Sequence, residues 1–123
     1  MFGMLVEGEY DHFWATISGP EGSPYENGTF ELKVELCEGY PFLPPRINFQ
    51  TKVFHPNISD EDGSVGVDFL REEWSPALTL VKVLLSIQSL MADPDSYIFL
   101  NLEATSALSE SRDLFILLAQ EMT

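Results

Sequence analysis

The stretch from residue 55 to residue 70 reads HPNISDEDGSVGVDFL, and residues 74–77 read WSPA. A histidine, a proline and an asparagine stand in a row, and an acidic run at residues 60–62 follows closely. The acidic run and Gly63 have part of the spacing of a calcium loop, but the first and twelfth ligand positions would then be Ile58 and Phe69. Because apolar side chains do not ligate calcium, the sequence predicts no metal here.

Further motifs lie on both sides of this stretch, in a fixed order. They are TISGP at 16–20, SPY at 23–25 with Gly28, YPFLPPRI at 40–47, TKVFHPNI at 51–58 and LTLVKVLLSIQSL at 78–90. In this order and near this spacing they resemble the ubiquitin-conjugating enzyme family from about residue 16 to residue 94. The resemblance implies the α+β UBC fold: a four-stranded antiparallel meander packed on a long central helix, with short C-terminal helices.

Hydrophobic periodicity places the same elements along the chain. Apolar and polar residues alternate over 29–36, which is typical of a half-buried antiparallel strand. Further strands are expected at 4–9, 13–18 and 46–50. A helix is expected over 78–91, with Ser75 and Pro76 at its start and Asp93-Pro94 at its end. Its apolar residues lie nearly all round, which predicts a helix covered on both sides.

The C-terminal part of the sequence predicts two shorter helices, at 102–108 and 111–122. The second carries an apolar stripe of Leu114, Leu117, Leu118 and Met122. The 123 residues are long enough for one core, so residues 1–123 are expected to form a single domain.

The family's catalytic cysteine corresponds to Gly66 in this sequence. Glycine has no side-chain atom that could attack a thioester. The residual motif is His55, Pro56 and Asn57; in the family the asparagine stabilises an oxyanion or holds the loop, and without a thioester only the second role remains. We expect His55 to be a structural histidine.

Two other candidate side chains carry a nucleophilic atom, Ser64 and Cys37. Ser64 lies two residues before Gly66 and points to the same side of an extended strand, but the sequence positions no histidine or carboxylate to activate it. Cys37, the sole cysteine, is expected to lie away from the active-site groove. The loop from Asn57 to Gly66 is also one residue longer than in the family. As the sequence stands, it predicts a protein that is not an enzyme.

The residues that resemble the family's ligase-binding surface are present. They are Phe42 in the YPFLPP loop, and Pro76 and Ala77 after the tryptophan. The resemblance implies a RING-type ligase as partner. The alternative is that Phe42 only fills the core.

Three residues match those that contact thioester-linked ubiquitin in the family: Asp68, Leu85 and Ser89. Leu85 could equally be a core residue. The segment at 96–100, SYIFL, is bulky and apolar where the family has a more polar gate for the incoming lysine.

The charge of the chain restricts its partners. Six lysines and arginines stand against 20 aspartates and glutamates, which gives a net charge of −14. Such a surface repels phosphate groups, so neither nucleic acid nor an anionic membrane is expected as a partner. It suits a basic protein surface, or it only confers solubility. The sequence predicts no cofactor and no internal disulfide, and a cytoplasmic or nuclear location.

The family usually opens with an amphipathic helix of about four turns, or roughly 14 residues. Only residues 1–3 precede the first expected strand, so this helix is expected to be missing. Without this helix, one flank of the core would be bare, and this suggests a homo-oligomer that forms through that flank.

The sequence is compatible with three functions. The leading hypothesis is a catalytically inactive binding module for a ligase, for ubiquitin or for an active conjugating enzyme. The alternatives are a genuine ubiquitin-conjugating enzyme in a truncated or Cys-to-Gly form, and a remnant without a partner.

Overall fold

A computed structural model describes residues 2–6, 12–36, 38–65, 74–77, 79–94 and 99–122 of the chain. Its strands are β1 (Phe2–Val6), β2 (His12–Ser18), β3 (Thr29–Glu35) and β4 (Arg46–Phe49), and its helices are α1 (Leu80–Ala92), α2 (Leu102–Glu110) and α3 (Arg112–Glu121). The strands form one antiparallel sheet in the order β1-β2-β3-β4. The predicted α+β meander with a long helix and short C-terminal helices is confirmed.

The alternation in β3 decides which face of the sheet is buried. Phe30, Leu32 and Val34 are buried, while Glu31 between them is exposed. Leu32 pairs with Ala15 of β2 and with Phe49 of β4, and both partners are buried as well. This face therefore packs into the core. The edge strand was predicted at residues 4–9 but runs over 2–6, and residues 7–9 lie outside the described part.

Helix α1 begins later than the sequence predicted. Its N-cap is Thr79, whose hydroxyl accepts a hydrogen bond from the backbone N–H of Lys82 at 3.2 Å. Ser75 instead accepts a bond from the N–H of Ala77, at 3.3 Å, in the loop before the helix. The cap assigned to Ser75 and Pro76 was wrong, because a threonine hydroxyl closer to the apolar run satisfies the free N–H of the first turn. The helix ends at Ala92 with Asp93 as its C-cap, so Asp93-Pro94 stops it as predicted.

The prediction that α1 is covered on both sides was also wrong. Its buried residues are Val83, Leu84, Ile87, Leu90 and Met91. Val81 and Leu85, which are equally apolar, are exposed on the other side of the helix. In the described structure α1 thus packs through one face and presents the other to solvent.

The C-terminal helices pack on the core through a different stripe from the one predicted. Phe115 and Ala119 of α3 are buried, and the rings of Phe115 and Phe54 stack with centroids 5.9 Å apart. Leu114, Leu117 and Met122 are exposed. Residues four apart lie on one helix face, so Phe115 and Ala119 form the inward stripe. Of the predicted stripe, Leu118 alone is partly buried against the core. Among the described residues, no helix is long and apolar enough to cross a membrane.

Candidate active site

The HPN turn is the most completely buried polar part of the described structure. His55 and Asn57 are fully buried, and Pro56 between them is buried too. The backbone N–H of Asn57 donates to Nδ1 of His55 at 3.0 Å. Because Nδ1 accepts that bond, the ring proton lies on Nε2, which donates to the carbonyl of Leu90 in α1 at 2.8 Å. The ring thus connects the turn to the central helix.

This environment keeps His55 uncharged. Burial lowers the pKa of His55 to about 4, although the hydrogen bond to the Leu90 carbonyl acts in the opposite direction. Both ring nitrogens have partners, and neither is open to a substrate. The arrangement is that of a structural histidine.

Tyr25 supports the turn from the side of the sheet. Its hydroxyl donates to the carbonyl of Phe54, the residue before His55, and its ring centroid lies 5.9 Å from that of His55. Burial raises the pKa of Tyr25, so its phenol stays protonated and remains a donor. Sequence reasoning noted Tyr25 within the SPY motif but missed this contact, since it joins residues 29 positions apart.

The carbonyl of Pro56 fixes the turn to the start of α2. It accepts hydrogen bonds from the backbone N–H of Leu100 at 2.8 Å and of Asn101 at 3.1 Å. Asn101 in turn caps α2 by accepting the N–H of Ala104 at 3.1 Å. The HPN turn is therefore held by α1, by the Tyr25 loop and by the segment before α2.

After the turn, the chain forms a narrow hairpin that leads to position 66. Ile58 pairs with Val65, and Asn48 of β4 pairs with Ser64. Gly63 turns the chain with φ of +74°, and its carbonyl accepts the N–H of Phe49 at 2.7 Å. A Cβ at this residue would lie 2.0 Å from the carbonyl oxygen of Phe49, so only glycine fits here. The hairpin thus fixes the backbone up to Val65.

Ser64 does have a carboxylate partner, contrary to the sequence-based interpretation. Its hydroxyl donates to Oδ1 of Asp62 at 2.8 Å, and its backbone N–H donates to the same oxygen at 3.0 Å. These bonds from Ser64 lower the pKa of the Asp62 carboxyl. The Asp62 carboxylate is therefore a weak base, and its bonds with Ser64 close the turn. Residues two positions apart make such bonds only when the backbone bends.

The two predicted ligase-binding loops lie together. The indole N–H of Trp74 donates to the carbonyl of Pro41 at 3.0 Å, and the rings of Trp74 and Tyr40 have centroids 6.2 Å apart. This contact brings residues 76–77, both exposed, to the loop that carries Phe42. Phe42 is 78% exposed, so the alternative in which it fills the core was wrong.

The predicted ubiquitin-contacting residues on α1 are also accessible. Leu85 is 46% exposed and Ser89, one turn further on, is exposed as well. The alternative of Leu85 as a core residue was wrong, because the core face of α1 is taken by residues on the opposite side. Position 66, Asp68, Cys37 and residues 96–98 lie outside the described residues.

The fold and the HPN turn together define a protein of the ubiquitin-conjugating class, and comparison with known proteins agrees. The sequence profile named "Ubiquitin-conjugating enzyme" matches residues 3–123. The chain belongs to this family.

Individual relatives show the same relationship. The chain is 52% identical over 80 residues to ubiquitin-conjugating enzyme E2 27 of Arabidopsis thaliana, a match that covers 65% of this chain and 42% of that protein. It matches the E2 domain of a Toxoplasma gondii ubiquitin-conjugating enzyme with a TM-score of 0.93 and 39% identity, over 99% of this chain and 86% of that one. A Plasmodium yoelii protein assigned to the same class gives a TM-score of 0.92 and 39% identity, over 99% and 80%.

The family assignment corrects one prediction. The sequence was interpreted as that of a protein that is not an enzyme, because of Gly66. The family matched over residues 3–123 is one of enzymes, and the similar proteins above carry the same description. The prediction from a single glycine was therefore wrong.

Proposed function

We propose that this chain represents a ubiquitin-conjugating enzyme in a truncated or Cys-to-Gly form; with its cysteine, such an enzyme carries ubiquitin as a thioester and transfers it to an amine. In this form of the enzyme, the sequence has Gly66 at the position that resembles that of the nucleophile. The observation that carries the proposal is the complete set of hydrogen bonds at the HPN turn. His55, Pro56 and the backbone of Asn57 all have partners that fix the turn beside the hairpin leading to position 66.

Preorganisation of the turn supports this proposal. Thioester transfer needs the attacked carbonyl to be held at one place, close to a fixed donor. The turn is tied to the central helix, to the Tyr25 loop and to the start of α2, so its backbone is held in one place. Asn57 is the amide side chain in this turn, which is the residue type suited to stabilising an oxyanion.

The test is thioester formation on the variant Gly66→Cys, Cys37→Ser, which has a single thiol at the site. We expect it to form a ubiquitin adduct that reductant removes. Two donors are used, the activating enzyme with ATP and a chemically prepared thioester of the ubiquitin C-terminus, so that poor docking of the activating enzyme does not hide the site. The control is Cys37→Ser alone.

The outcomes separate clearly. A reducible adduct on the double variant with either donor supports the proposal. A folded double variant, with a dispersed NMR spectrum but no adduct from either donor, contradicts it. An adduct on the unsubstituted chain that resists reductant and is lost in Ser64→Ala would assign the nucleophile to Ser64 instead.

We also propose a RING-type ligase as partner of the surface formed by Phe42, Pro76 and Ala77. Phe42→Ala should weaken binding of a RING domain at least about tenfold without lowering the free energy of unfolding, because a central aromatic anchor carries much of the energy of an interface. The control is Leu117→Ala, a similarly exposed apolar residue on α3. Equal binding of both variants in a fluorescence titration would reject this surface.

A further inference from the structure

The sequence contains two serines that are followed directly by proline, Ser23 and Ser75. A serine in this context is the acceptor that proline-directed protein kinases select. Proline favours such a site because it has no backbone N–H and keeps the residue before it extended. The sequence alone does not distinguish the two serines, whereas their surroundings in the fold do.

Ser23 is closed to a kinase by burial and by two hydrogen bonds. The residue is only 9% exposed. Its hydroxyl donates to the carbonyl of Pro20 at 2.7 Å and accepts the backbone N–H of Tyr25 at 3.2 Å. Tyr25 is itself fully buried and holds the HPN turn, so exposing Ser23 would also disturb that turn.

Ser75 has more open surroundings. It is half-buried in the loop before α1, and the two residues that follow it, Pro76 and Ala77, are exposed. Its hydroxyl accepts the N–H of Ala77 at 3.3 Å but donates to no group within the described part of the chain. The proton that a kinase must remove is therefore not held by an acceptor there.

We propose that Ser75 is a phosphorylation site for a proline-directed kinase, and that its phosphorylation blocks the ligase-binding surface formed by Phe42, Pro76 and Ala77. Oγ of Ser75 forms a bond to the γ-phosphorus of ATP, and the bond from that phosphorus to the ADP oxygen breaks. The hydroxyl proton passes to the catalytic carboxylate of the kinase. The site itself goes beyond the proposed function, whereas its effect on ligase binding rests on that function.

The expected effect follows from the place of Ser75. The bond from Trp74 to the carbonyl of Pro41 joins its loop to the loop of Phe42, so the phosphoryl group is added beside an exposed apolar surface. This group carries a charge of about −1.5 to −2, which a ligase covering the surface would have to desolvate. Residues 72–81 contain no lysine or arginine that could compensate the charge.

The site is tested by incubating the folded chain with a mitogen-activated protein kinase and ATP, and by locating phosphate with mass spectrometry. We expect one phosphoryl group at Ser75 and none at Ser23. Peptides of residues 17–29 and 69–81 are the controls; because they lack the fold, both should be phosphorylated. Absence of phosphate at Ser75 in the folded chain would overturn the site. Equal modification of both serines would overturn the selection by the fold.

The effect on binding is measured by fluorescence titration with a RING domain. Phosphorylation should raise the Kd at least about tenfold. Ser75→Ala, taken through the same kinase reaction, is the matched control and should keep the Kd of the unmodified chain. Equal affinity of the phosphorylated and unmodified chains would overturn the block. An unmodified chain that binds no RING domain would overturn the ligase surface and the block with it, while the mass spectrum decides the kinase site separately.

Discussion

At the scale of single residues, His55 connects the HPN turn with α1 through its two ring nitrogens. The ring can do so only while it is neutral, because Nδ1 must accept the N–H of Asn57. A proton on Nδ1 would break that bond and bury a charge. Protonation of His55 at low pH therefore destabilises the fold.

We expect the free energy of unfolding to fall as the pH falls from 6.5 to 4. The pKa of His55 is about 4 in the folded chain against 6.5 for a free histidine, so in this window the unfolded chain binds a proton that the folded chain does not. The loss integrates to about 3 kcal/mol, and the stabilisation is complete only above pH 6.5.

Urea unfolding of the chain and of His55→Gln at several pH values measures this effect. Glutamine does not titrate, so the difference between the two pH profiles isolates the histidine from the many carboxylates. Parallel profiles between pH 6.5 and 4 would show that His55 is not held neutral.

Gly63 and Gly22 differ in the space that a side chain would have. Both have positive φ, +74° and +82°, but a Cβ at Gly63 would meet the Phe49 carbonyl at 2.0 Å, whereas none of the described atoms lies within 4 Å at Gly22. Gly22→Ala should cost about 1 kcal/mol for the left-handed backbone alone. Gly63→Ala should cost at least about 3 kcal/mol, because the hairpin must also move. Equal unfolding midpoints in urea would contradict the close approach.

At the scale of elements, the start of α1 depends on one hydroxyl. Thr79 caps the helix, and Ser75, four residues earlier, accepts a bond from the N–H of Ala77 within its own loop. Thr79→Ala should lower the free energy of unfolding by about 1 kcal/mol, the usual cost of a lost N-cap. Ser75→Ala is the control and should cost less than half as much, as measured by thermal unfolding. The reverse order would place the cap at Ser75.

The loops at the ends of these elements carry the proposed contacts. Trp74 ties the YPFLPP loop to the loop before α1, and Pro56 ties the HPN turn to the start of α2. Each bond joins segments more than 30 residues apart in the chain. The candidate surfaces are thus made by pairs of loops, and neither loop of a pair defines a surface alone.

At the scale of the whole molecule, charge is the dominant property. Twenty acidic residues outnumber six basic ones. The excess negative charges repel one another more strongly in the compact state than in the extended chain. In the described part of the chain, the ion pairs found, Lys33 with Glu35 and Lys52 with Asp60, are at the surface and contribute little.

Sodium chloride should therefore stabilise the fold. Raising its concentration from 20 mM to 500 mM shortens the Debye length from roughly 20 Å to a few Å and screens the repulsion, so the unfolding midpoint in urea should rise. Sucrose at equal osmolality is the control for general solute effects. A midpoint that falls with salt would mean that local ion pairs outweigh the repulsion.

The sequence by itself determined the meander, the long helix and the family. These follow from local regularities, the alternation in β3 and the order of the motifs, which neighbouring residues express without help from the rest of the chain. It also placed the HPN turn and the residues of the proposed ligase surface. The prediction that the protein is not an enzyme was wrong, because it relied on Gly66 alone although the other family motifs are present.

Only the tertiary structure decided which apolar side chains are exposed and which polar groups meet. Phe42, Leu85 and Leu102 are as apolar as the core residues, but they stand on loops and helix faces that other side chains leave uncovered. The bond from His55 to the carbonyl of Leu90 joins residues 35 positions apart. Burial and long-range hydrogen bonds depend on how the elements pack against one another. Packing brings together segments that are far apart in the sequence, and a local sequence pattern carries no information about such contacts.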